Sequence, residues 1–153
     1  MTRVLWAAIA AAAVTAGSAW GCFGPRLRVG VVPEVALAAY VFGYYLEERA
    51  GTRVEFVDTA DPGAALLGDR ADVVVVPAGR APPEGVETRP GGEVAGFGPV
   101  VFWLRPQVFE DLRLTLVERA LGKVPPLWTS GPFRSAGDRP PKAVARQVVL
   151  DAP

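Results

Sequence analysis

The sequence predicts an α/β domain with a mainly parallel sheet and flanking helices, on three observations. Valine-rich stretches of the kind that suit buried parallel strands occur at Leu27 to Val32, Val54 to Val57 and Val73 to Val76. The first two are separated by a segment with helical spacing, "PEVALAAYVFGYYLEERAG", and the next two by "PGAALLGDR", a short helix or turn. The resulting order, strand, helix, strand, short helix, strand, is a βαβαβ unit, in which crossovers run the strands parallel and lay helices on the faces of the sheet.

Each element has its own justification. In "RLRVGVV" the apolar run becomes continuous at its end, as it does in a buried strand, and Pro33 suits the first turn of the helix that follows, with Glu34 near the positive end of its dipole. Val35, Ala38, Ala39, Phe42, Tyr45 and Leu46 recur at helical spacing, and Gly51 closes the helix. "TRVEFVD" alternates apolar and charged residues as a second strand, whereas the unbroken Val73 to Val76 predicts the centre of the sheet. Residues 79–92, "GRAPPEGVETRPGG", read as a loop or hinge with a brief strand at Val86 to Thr88.

Val100 to Leu104 predict a further strand, and "PQVFEDLRLTLVERALGK" predicts one helix with Pro106 near its first turn and Gly122 as its stop. Phe109, Leu112, Leu116 and Ala120 would form its apolar stripe. The tail "VPPLWTSGPFRSAGDRPP" reads as irregular, and "PPKAVARQVVL" as a short closing helix with Val144 and Val148 inward.

Composition narrows the functional classes. The chain has 153 residues, 50% hydrophobic and 21% charged, which suits one compact domain plus a leader. The 16 basic and 16 acidic residues sum to a formal charge of zero, so no field steers a polyanion and nucleic acid is not an expected partner. With no histidine and one cysteine, a zinc site, a Cys/His pair or a Ser/His/Asp triad lacks its parts. The expectation is a protein that is not an enzyme and takes neither cofactor nor metal.

The single cysteine, Cys22, stands where the leader ends. From Val4 to Pro25 no side chain is charged, and Arg3 precedes the apolar run, which is the layout of an export leader over residues 1–24. Ala19-Trp20-Gly21-Cys22 is similar to the end of a bacterial lipoprotein leader, where small residues precede a lipid-modified thiol. Three readings are open: a lipidated Cys22, an uncleaved membrane anchor, or cleavage after Ala19. The first two place the domain, residues 25–153, on the periplasmic side of the membrane, and the third releases it.

The order of segments resembles a known family. "LRVGVVPEVALAAYVFGYYLEERAGTRVEFVD", "ALLGDRADVVVVP", "WLRPQVFED" and "RPPKAVARQVV" are similar to the substrate-binding proteins of ABC transporters, within them to the glycine betaine/choline (quaternary amine) group. The resemblance spans Arg26 to Leu150. It implies a three-layer single lobe of a type 2 periplasmic binding protein, since the chain passes from Val76 to Val100 with residues 79–92 where full members insert a second lobe. It also implies a small solute as ligand and an ABC permease as partner.

Sites of that group hold a quaternary ammonium against aromatic rings. The candidate ligand-binding residues are therefore Tyr40 and Tyr44, four apart on one helical face, with Trp103 and Trp128; Asp58, Thr59 and Asp61 form a polar turn after the second strand. In open α/β sheets ligands sit beyond the carboxyl ends of the strands. Two functions are expected from this: a non-enzymatic solute-binding component, or a membrane-tethered interaction or self-association module with a degenerate ligand site.

Overall fold

The computed structural model describes residues 26–111 and 114–153; the leader with Cys22, and Leu112, lie outside the described residues. Five strands form one sheet in the order β2-β1-β3-β5-β4. Strand β1 (Arg26–Val31) leads through a 3₁₀ turn at Pro33–Val35 into helix α1 (Ala36–Ala50), whose end is closed by Gly51 at φ 62°, a left-handed cap open to glycine at no steric cost. Strand β2 (Arg53–Asp58), helix α2 (Pro62–Leu67) and strand β3 (Val73–Pro77) follow, as the sequence predicts. Strands β2, β1 and β3 are parallel, with Val29 opposite Phe56 on one side and Val73 on the other. Val73 to Val76 lie at the centre of the sheet and are fully buried.

The second half of the sheet departs from the expectation. Residues 79–92 are not only a loop: β4 (Glu87–Val94) runs through the end of that stretch and pairs antiparallel with β5 (Gly98–Leu104). Only three residues separate β4 from β5, and so short a turn admits no parallel crossover. The fourth valine-rich segment therefore lies antiparallel to β3, with Val74 opposite Trp103 and Val75 opposite Phe102. The register shifts between Pro90 and Gly92, and Gly91 lies in that bulge so close to β5 that a side chain there would press into the Val100 carbonyl.

Past β5 the single helix expected over residues 106–123 is two: α3 (Gln107–Glu110), and α4 (Thr115–Lys123), with Asp111 extended between them. The tail read as irregular holds a 3₁₀ segment at Pro125–Thr129 and α5 (Gly131–Arg134), which carry Trp128 and Phe133 into the core. Helix α6 (Pro141–Leu150) closes the chain with Val144 and Val148 buried.

Three layers result. Helix α1 lies against the sheet with Phe42 beside Phe102 at 5.0 Å and Trp128 5.5 Å beyond, and it is itself covered by α4 and α6. Val41, Gly43 and Tyr44, outside the stripe read from the sequence, are also buried, Gly43 and Tyr44 against Phe56 of β2. Adjacent strand residues face opposite ways, so Trp103, next to Phe102, lies on the other face, with α2 and the loop of residues 78–86. Among the described residues no helix is long and apolar enough to cross a membrane.

Candidate functional site

On the α2 face an open groove of about 400 Å³ is walled on one side by Asp61, Pro62 and Gly63 and on the other by Arg80, Ala81 and Pro83, with Trp103 completing the lining. Its walls are the segments that leave the carboxyl ends of β2 and β3, the end of an open α/β sheet where ligands collect. Local chemistry holds each wall. Asp61 is the N-cap of α2, its Oδ1 accepting from the Ala64 N–H at 2.9 Å, and the Thr59 hydroxyl donates to the Asp61 carbonyl at 2.9 Å. Across the groove Arg80 donates to Glu34 at 2.9 Å, tying the loop to the start of α1.

Trp103 is the unusual member. It is 3% exposed, yet its indole N–H has no acceptor among the described residues. A buried donor left unpaired costs about 1–3 kcal/mol, so such a group asks for an acceptor that the described residues do not supply. A second groove, about 500 Å³ between Leu37, the Ala95-Gly96 turn and Phe133 to Ala136, offers no comparable unpaired buried group.

The other aromatic candidates stand elsewhere. Tyr40 and Tyr44 do share one face of α1, but they clamp the Phe56 ring edge-on, at 5.0 and 5.2 Å. The protein's own cations lie over them, Lys142 Nζ 5.3 Å from the Tyr40 ring and Arg146 4.7 Å from the Tyr44 ring. Burial, with Asp58 and Tyr44 nearby, raises the Tyr40 pKa. Trp128 is fully buried, and its indole N–H donates to the Ala38 carbonyl at 3.2 Å. The fold thus does not bring Tyr40, Tyr44, Trp103 and Trp128 together at one place. Cys22 lies outside the described residues.

Sequence reasoning missed Arg80 and Pro83, which sit in a stretch read only as loop. It also missed a charged cluster at the amino end of the parallel strands. There Asp72 accepts from the Arg28 backbone N–H at 2.7 Å and from Arg28 Nε at 3.1 Å, Arg105 reaches Asp72 and Asp69, and Arg28 also donates to the Asp69 carbonyl. The Asp72 hydrogen bond raises the Arg28 pKa, while burial, with Arg28 alongside, lowers that of Arg105. Partners 44 residues apart carry no local signal in the sequence.

No family model matches the chain, and no curated protein matches it. Two solved structures are similar: a cysteine-to-serine variant of the regulatory domain of MetR, a LysR family regulator from N. meningitidis, at 10% identity and a TM-score of 0.45 over 65% of this chain and 94% of that one; and the regulatory domain of the same regulator without those substitutions, at 24% identity and a TM-score of 0.34 over 44% of this chain and 32% of that one. The fold is a single mixed α/β domain, a five-stranded sheet with flanking helices. The reading of this lobe as an ABC transporter substrate-binding component for glycine betaine, a periplasmic membrane lipoprotein, is corrected on this finding. The solved structures that resemble it are regulatory domains of a LysR family regulator, and no transporter family matches.

Proposed function

We propose that this lobe is a non-enzymatic domain that binds a small molecule in the groove between α2 and the loop of residues 78–86. The observation that carries the reading is Trp103, a lining residue of a groove large enough for a small ligand, whose buried indole N–H has no acceptor among the described residues. The charged groups beside it support binding rather than chemistry: Asp61 is engaged as a helix cap and Arg80 in an ion pair, so neither is paired as base and nucleophile.

The test is a titration of the ¹⁵N-labelled protein with a panel of small carboxylates, amides, amines and sugars, following the indole N–H resonances. Trp103→Phe assigns the Trp103 signal by its disappearance. The expected result is a ligand-dependent shift of that resonance while the Trp128 resonance, already bonded to Ala38, stays in place. A panel that leaves the Trp103 signal unmoved, or moves both equally, overturns the reading.

A further inference from the structure

The charges and donors around the groove narrow the class of ligand, on the footing of the binding role proposed above. Arg80 is neutralised by Glu34 at 2.9 Å, which leaves Asp61 as the uncompensated charge in the lining. A carboxylate entering here would face Asp61 and compete with Glu34 for Arg80. An uncharged acceptor pays neither cost. Asp61 in turn offers an acceptor: its Oδ1 takes the Ala64 N–H, and its second oxygen has no hydrogen bond among the described residues. The rest of the lining, Pro62, Gly63, Ala81 and Pro83, has no polar side chain.

We propose that the groove takes a small uncharged amide, its carbonyl accepting from the Trp103 indole N–H, its N–H donating to the Asp61 carboxylate, and its apolar body lying between Pro62 and Pro83. One donor and one acceptor provided by the protein match one acceptor and one donor on an amide; a ligand without the acceptor leaves the buried Trp103 N–H unpaired, and one without the donor leaves the exposed Asp61 carboxylate to water. The groove is narrow at one end, because a Cβ on Gly63 would come within 3.2 Å of Pro83 Cγ. The body must therefore be flat or slender there.

Two probes of equal shape test this on the full chain: isovaleramide and isovalerate, followed by the Trp103 indole N–H resonance. The amide is expected to shift that signal and to bind about tenfold more tightly than the carboxylate, whose charge faces Asp61 and which has no N–H to give it. Asp61→Asn keeps a capping residue on α2 while removing the charge, and is expected to bring the two probes to within about threefold. Trp103→Phe is expected to weaken the amide about tenfold, with the Trp128 resonance reporting that the fold is intact.

A carboxylate that binds as tightly as the amide, or an Asp61→Asn variant that discriminates as before, overturns the amide assignment. Silence toward both probes, with shifts from other members of the broader panel, also overturns it and leaves the binding role standing. Silence toward the whole panel overturns both.

Discussion

Replacing Gly43 by alanine sets two effects of opposite sign against each other at the contact between α1 and β2. In an ordinary helix interior the change stabilises by about 1 kcal/mol, because glycine is the poorest helix former after proline. Here the added Cβ would overlap the Phe56 ring at Cε1 and Cζ and lie 3.1 Å from Val54 Cγ1. A free side chain would swing aside, but Phe56 is clamped edge-on by Tyr40 at 5.0 Å and Tyr44 at 5.2 Å. Moving it forfeits aromatic contacts of about 0.5–1.5 kcal/mol each, within an overpacking penalty of about 1–3 kcal/mol.

At the middle of that range the steric effect wins, about 2 kcal/mol against about 1, and Gly43→Ala is expected to destabilise by about 1 kcal/mol net. Urea unfolding followed by far-ultraviolet circular dichroism measures it as a lower midpoint at unchanged slope. In a Phe56→Leu background the same substitution is expected to become neutral or stabilising, giving a coupling of at least about 1 kcal/mol in the double-mutant cycle. A Gly43→Ala protein more stable than the parent would refute the packing of α1 on β2 described above.

Three further outcomes follow from the structure. Asp72→Asn removes the buried charge shared by Arg28 and Arg105 and leaves only the exposed Asp69 carboxylate between the two guanidinium groups, so it is expected to cost about 1–3 kcal/mol by urea unfolding; a cost under about 0.5 kcal/mol would show that the cluster is solvated. Trp128→Phe loses the hydrogen bond to Ala38 and part of the core beside Phe102, for an expected cost of about 2–3 kcal/mol in the same assay.

Tyr40, whose pKa is raised by burial, holds its proton more tightly folded than unfolded. Its contribution is therefore complete below the ordinary tyrosine value near 10 and is lost as pH rises through the folded value. Phenolate absorbance at 295 nm should lose a late-titrating component in Tyr40→Phe, and that substitution should flatten the alkaline fall in stability; a Tyr40 that titrates at the ordinary tyrosine value would contradict its placement.

The elements legible in the sequence are those set by short-range periodicity. The parallel half of the sheet, the central place of Val73 to Val76, the α1 and α6 helices and their inward faces all follow from patterns within a few residues of each other. A valine run buried on both faces can sit only where helices cover both, so its position is written in its composition. The charge balance and the lack of histidine are likewise properties of the sequence alone.

Tertiary structure decided the rest. Strand direction in the second half depended on whether Glu87–Val94 paired with its neighbour, and a proline- and glycine-bearing stretch shows weak strand periodicity of its own. Which aromatic stands in a groove was settled by alternation and register: Phe102 and Trp103 are adjacent in the chain, yet one is core beneath α1 and the other lines a groove beneath α2. The separation of Tyr40 and Tyr44 from Trp103, the meeting of Arg80 with Glu34 and of Arg28 with Asp72 are contacts between distant segments. Local sequence specifies where a side chain can point along its own element, whereas the partner it meets is chosen by how whole layers pack to bury apolar surface.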